Sequence, residues 1–279
     1  MKVLDYQVLA KILSHKSGLE FVCKAGQTGD GISWYELSPA GHVPSQTFTV
    51  RLEVGWRRLT FRFRPGAFGA ELISLMHAAE PVGRNTFLTI LDECVQLGAE
   101  VDVKVNGVSI KFSEKWIWDD SWRHFEFTIS KGMLAINDGN ISTDAQLIEE
   151  WATRTVAATL ALLPVEDNES HSDVLGLPEG ALLRVEVNRY ERDRRNRAAA
   201  LAIHGYSCAA CGLKMADKYG PNATEIIEVH HTTPISLLGP SYLIDPRADL
   251  IPLCPNCHAV AHSREPPFSV KEIQAMLCR

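Results

Sequence analysis

No apolar run in this chain approaches the length that crosses a bilayer, and Met1-Lys2-Val3-Leu4-Asp5 lacks the basic and apolar regions that open a signal peptide. The expectation is a cytoplasmic protein with no membrane partner. Internal repeats and low-complexity tracts are also missing, which removes solenoids and arrays from consideration. Tryptophan is absent from the C-terminal part: all six (Trp34, Trp56, Trp116, Trp118, Trp122 and Trp151) precede the acidic run Glu166-Asp167-Asn168-Glu169-Ser170-His171-Ser172-Asp173. That run has little to bury and marks the domain boundary. A composition of 46% hydrophobic and 22% charged residues is that of an ordinary globular protein, and 279 residues leave room for two domains.

What is present is concentrated between Tyr206 and His262. Cys208-Ala-Ala-Cys211 and Cys254-Pro-Asn-Cys257 each hold two residues between their cysteines, with forty-two between the pairs. Two such knuckles close on one tetrahedral ion, and four thiolates leave it no open position, so the metal is structural zinc. The competing reading is two disulfides, which need an oxidising compartment. With these four assigned to zinc, Cys23, Cys94 and Cys278 remain as free thiols. Between the knuckles lie His230 and His231, and His258 and His262 follow the second knuckle four residues apart. If a helix starts near Cys257, that spacing puts two imidazoles on one face, within reach of one ion. A single histidine is more often a core or surface residue than a ligand; four on a zinc scaffold are a different matter.

Over about residues 179–268 the chain resembles the HNH endonucleases of ββα-metal fold, and most closely the McrA-like restriction branch. The resemblance rests on Arg189-Tyr190-Glu191-Arg192 running to His204-Gly205-Tyr206-Ser207-Cys208-Ala209-Ala210-Cys211-Gly212, on Glu228-Val229-His230-His231-Thr232-Thr233-Pro234, and on Asp249-Leu250-Ile251-Pro252-Leu253-Cys254-Pro255-Asn256-Cys257-His258 with His262. It implies that His231 is the general base, that His230, His258 and His262 face a catalytic divalent cation (Mg²⁺, Mn²⁺, Ni²⁺ or Zn²⁺), and that the reaction is DNA phosphodiester hydrolysis leaving 5′-phosphate and 3′-hydroxyl ends. A neutral imidazole can take a proton from water near neutral pH, and a cation beside the phosphate offsets the charge of the departing oxygen. One departure stands out. The family asparagine that orients the base is matched here by Asp249, while Asn256 sits inside the knuckle. An aspartate accepts the same backbone hydrogen bonds but cannot donate, and we read it as a tolerated variant rather than an inactivated site.

The formal charge of −6 is unevenly spread. Residues 1–183 hold 16 Lys+Arg against 24 Asp+Glu, and the remainder 12 against 10, so the nuclease-like end is the less acidic one. Its Arg189, Arg192, Arg194, Arg195 and Arg197 fall within nine positions at the start of an expected helix. They suit either phosphate contacts or a solvated helix turn paired with Glu191 and Asp193.

The N-terminal part reads as mixed α and β. A helix is expected over 3–16, and Thr47–Val54 with Arg57–Arg64 alternate across Gly55-Trp56 as a hairpin, with Leu59, Phe61 and Phe63 inward and Thr60, Arg62 and Arg64 outward near Arg51. Phe68–Ala79 and Asn85–Leu97 read as helices separated by Glu80-Pro81-Val82-Gly83. Val101–Val105 and Val108–Phe112 flank Asn106-Gly107, a type I′ turn signal. His124–Ile129 reads as a strand and Thr143–Leu163 as a helix capped by Thr143. The tryptophans either pack this core or line an aromatic pocket that stacks an extruded base or meets a partner.

The expected whole is an α+β protein of two domains: residues 1–165 as a targeting or sensor domain, an acidic linker at 166–178, and an HNH endonuclease domain at 179–279. Its setting, by resemblance, is restriction and anti-phage defence. The N-terminal domain directs the nuclease either to DNA, including modified DNA, or onto protein partners of a defence system; the resemblance also points to a homodimer for cutting both strands. The non-enzyme alternative is a zinc-knuckle module that only binds DNA or protein.

Overall fold

The computed structural model describes residues 5–112, 118, 121–136, 141–163, 194–224, 226–233, 244–264 and 266–277. It divides into two compact units, Met1–Pro164 and Val165–Arg279. The acidic linker expected at 166–178, Trp116, Arg189 and Arg192 lie outside the described residues.

The first unit opens with helix α1 (Tyr6–Ser17), where the Asp5 side chain accepts from Gln7 N–H and Gly18, at φ 69°, closes the last turn. Strands β1 (Phe21–Gln27), β2 (Ser33–Pro39), β3 (Phe48–Gly55) and β4 (Arg58–Pro65) follow, then helices α2 (Ala70–His77) and α3 (Pro81–Gln96), strands β5 (Glu100–Val105), β6 (Val108–Ile110) and β7 (Phe125–Lys131), and helix α4 (Ile141–Ala161). The strands form one antiparallel sheet in the order β1-β2-β3-β4-β7-β5-β6. Helices pack on one face of it. Against them point Val50, Leu52, Leu59, Phe61, Phe63, Phe127 and Ile129, all fully buried. Phe63 and Phe127 stack at 5.4 Å, and Phe87 of α3 meets Phe127 edge-on at 5.5 Å. The other face carries polar side chains, with Arg51 directly opposite Arg62.

Two expectations need correction. The two expected helices are present, but the second starts at Pro81 rather than Asn85, with proline as its first residue, where a missing N–H costs nothing. Helix α4 begins at Ile141, so Thr143 lies inside its first turn rather than capping it. The Asn106-Gly107 turn has φ 52° and 82°, as a type I′ hairpin requires. Two tryptophans pack inward, Trp122 stacked on Phe125 at 4.2 Å and Trp151 buried, whereas Trp34 is half-buried on the polar face, over Gly26 and with the Arg51 guanidinium 4.5 Å from its ring. Trp118 stacks on Trp122 at 5.0 Å with Arg84 over its ring at 4.8 Å. Trp122 and Trp151 are core rings, Trp34 and Trp118 are half-buried, and Trp56 is exposed.

The second unit contains helix α5 (Arg194–His204), helix α6 (Met215–Tyr219), strands β8 (Glu228–His231) and β9 (Leu250–Leu253), helix α7 (Pro255–Ala261) and helix α8 (Val270–Leu277). Strands β8 and β9 pair antiparallel with Glu228 opposite Leu253 and His231 opposite Leu250. The hairpin followed by α7 makes a ββα unit. Its core joins Leu201 of α5, Leu250, Leu253, Ala261 and Ile273 to Cys208, Cys254 and Cys257.

Candidate functional site

Each cysteine pair sits on a turn that the sequence dictates. In the first, Cys208 N–H donates to Leu213 O (3.0 Å) and Gly212 N–H to Cys208 O (2.8 Å), with Gly212 at φ 72°. A side chain is strained at that φ, which is why glycine follows the knuckle. In the second, Cys254 caps α7 and Pro255 takes the first helical position. Ala209 N–H donates to Pro252 O (2.8 Å) and ties the two knuckles, and Gln274 Nε2 of α8 donates to Ala209 O (3.0 Å).

The four sulfurs lie within 4.8 Å of one another, Cys211 and Cys254 at 3.8 Å. A tetrahedron of bonds about 2.3 Å long has edges of roughly 3.8 Å, so the set fits zinc. Burial pushes the thiols of Cys211 and Cys257 up, and neighbouring sulfurs add to the rise at Cys257. Burial also acts against Cys208, but N–H groups of Cys211, Cys254 and Ala210 outweigh it and hold that thiol at about 7. One thiolate is favoured here, and four together need a cation.

A second cluster gathers on β8 and α7. The ring nitrogens of His230, His258 and His262 also lie within 4.8 Å of one another, with His230 Nδ1 and His262 Nε2 at 3.1 Å. Imidazoles converging this way suit a divalent cation. Helix α7 supplies the geometry, since His262 is its C-cap and donates its N–H to His258 O. Glu228, two residues before His230 and therefore on the same side of β8, places its carboxylate against His258 Nδ1. Sequence reading missed Glu228; the period of two along the strand was its only signal.

His231 is buried and is not a member of that cluster. Beyond it, Thr232 N–H donates to Asp249 O (2.8 Å), extending the ladder by one rung. Asp249 is buried, its Oδ2 accepts Asp245 N–H (2.8 Å), and its own N–H returns to Asp245 O (2.8 Å). The turn is thus braced through acceptor capacity that aspartate and asparagine share.

Helix α5 holds both strands. Arg197 Nη1 donates to Ile227 O (2.6 Å), immediately before β8, and His204 Nε2 lies 3.2 Å from Pro246 O in the turn before β9. Arg197, one of the arginines that suited either phosphate contacts or a solvated helix turn, therefore directs one N–H into the fold; Arg195 is half-buried, and Arg194 begins the helix. The anchoring roles of Arg197 and His204 had no signal in the sequence.

Residues 208–264 match the HNH endonuclease family. The chain is also 33% identical over 121 residues, 42% of its length, to the type IV methyl-directed restriction enzyme EcoKMcrA of Escherichia coli (strain K12). It spans 41% of the length of that relative. No solved structure matches the chain. The zinc-fitting cysteines and the ββα hairpin-helix lie within the segment 208–264 that matches the HNH endonuclease family.

Proposed function

We propose that the chain is a metal-dependent DNA endonuclease, in which the second unit hydrolyses phosphodiester bonds and the first directs it to DNA, including modified DNA, in restriction of foreign DNA. The observation that carries this reading is the convergence of His230, His258 and His262 beside a strand whose next residue, His231, stays outside their cluster. Successive strand residues point to opposite sides, so cation-binding and proton-accepting imidazoles are kept separate.

In this mechanism His230, His258 and His262 would hold the cation, whether Mg²⁺, Mn²⁺, Ni²⁺ or Zn²⁺, which would supply positive charge at the phosphate and the departing oxygen. Glu228 accepts from His258 Nδ1, which fixes that ring's tautomer and leaves Nε2 as the ligand atom. His231 takes a proton from the attacking water on a ring nitrogen. Asp249 positions it indirectly, by closing the Asp245–Asp249 turn against the end of β8. Cys208, Cys211, Cys254 and Cys257 carry structural zinc and do no chemistry.

The relative's methyl-directed character supports modified DNA as the target. A second reading, in which the first unit docks the nuclease onto protein partners, draws on the 24 Asp+Glu against 16 Lys+Arg of residues 1–183. Cleavage of unmodified and cytosine-modified DNA in parallel, with each metal, separates them. Cutting confined to modified DNA supports the first reading. Cutting only when partner proteins are added supports the second.

A further inference from the structure

The β3–β4 hairpin turns at Trp56-Arg57, between Gly55 and Arg58. Arg57 sits at φ 54°, and just past the end of β7 Met133 sits at φ 59°. Among the described residues the only other non-glycine in this region is Asn106, a residue type that tolerates it in a turn. Arginine and methionine gain nothing intrinsic from a left-handed backbone. The conformation is held from both sides: Leu134 N–H donates to Arg57 O (3.2 Å) and Arg57 Nε to Leu134 O (3.4 Å). The two strained positions are thereby side by side.

The consequence is an apolar point on the end of the sheet. Trp56 is 82% exposed and Met133 92%, the two most exposed large hydrophobic side chains among the described residues. The Arg57 guanidinium lies 5.9 Å from the Trp56 ring centroid. Close by, Arg58 pairs with Glu100 at 3.3 Å, and Lys131 Nζ donates to Leu97 O and Gly98 O. Trp34, Trp118, Trp122 and Trp151 each pack against neighbours of the first unit, whereas Trp56 is presented outward.

An indole with a guanidinium beside it is a stacking platform for a nucleobase, and the Arg57 guanidinium suits a flanking phosphate. A thioether next to it is shaped as a wedge between base steps. We propose that this tip is a DNA-contacting element of the first unit: Trp56 stacks on a base, Met133 wedges the adjoining step, and Arg57 meets the backbone. The proposal rests on the reading that the chain acts on DNA, and it names where the first unit touches it.

The test uses the full-length chain without added divalent cation. Anisotropy of labelled oligonucleotides (an unmodified duplex, a 5-methylcytosine duplex and a single strand) gives affinities for wild type, Trp56→Ala, Trp56→Phe and Arg57→Ala across a salt series. Trp56→Ala is expected to weaken binding about tenfold or more with an unchanged salt slope, since stacking carries no charge, while Trp56→Phe keeps most of the affinity. Arg57→Ala is expected to lower the salt slope by roughly one. Trp56 is exposed, so thermal melting of its variants should match wild type. Wild-type affinity in Trp56→Ala, with the parent binding or cleaving DNA normally, overturns the tip and leaves the nuclease reading intact; a tip made for a protein partner would give this result. A parent that neither binds nor cleaves any DNA with Mg²⁺, Mn²⁺ or Ni²⁺ added removes the nuclease reading, and the tip with it.

Discussion

Glu228 of β8 and His258 of α7 meet side chain to side chain, with the carboxylate on Nδ1 of the ring. A carboxylate on the far nitrogen of a ligating imidazole fixes its tautomer and raises its basicity, and losing such a partner weakens metal binding about 10- to 100-fold. Glu228→Ala is therefore expected to need a correspondingly higher Mn²⁺ or Ni²⁺ concentration for half-maximal cleavage while keeping its zinc. Unchanged metal dependence would show that the contact does not serve the cation.

The zinc site makes a different prediction, because Cys208, Cys254 and Cys257 belong to the core of the second unit while Cys211 closes the set from its exposed edge. Cys208→Ser should lose one zinc per chain by elemental analysis, and the melting transition of the second unit should broaden or fall to lower temperature. Retained zinc with an unchanged melt would refute the site.

Helix α8 provides a pH-dependent test. Ser269 N–H, the Ser269 hydroxyl and Arg264 converge on the Glu272 carboxylate and hold it at about 2, below its ordinary 4.5. A carboxyl lowered by folding stabilises fully above its unfolded value and loses that contribution as pH falls through the folded value. The melting difference between wild type and Glu272→Ala should be greatest above pH 4.5 and shrink towards pH 2. A difference that stays constant over that interval would contradict the cap.

Much of this was legible because it is local. The Asn106-Gly107 turn, the β3–β4 alternation and the spacing of cysteines and histidines are set by a few neighbouring residues, and each can be read from the chain. Strand β1 was hidden because it is an edge strand with only Phe21 buried, so it shows no alternation. The insertion of β7 between β4 and β5 depends on pairing across more than sixty residues, Arg62 with Thr128, which no window contains. The same limit applies in the site. Glu228 finds His258 thirty positions later, and Arg197 finds a backbone carbonyl, a group that carries no mark in sequence.

On the proposed function, His231 performs chemistry while its neighbour His230 holds a cation. The most direct measurement is nicking of plasmid DNA, unmodified and cytosine-modified, by wild type and His231→Ala at saturating Mg²⁺, Mn²⁺ or Ni²⁺. Wild type is expected to cleave and His231→Ala to lose about 10²-fold or more, with zinc content, melting and DNA affinity unchanged. Equal cleavage by the two proteins would contradict the general-base role, and DNA binding without cleavage by wild type under every metal would make the second unit a binding module.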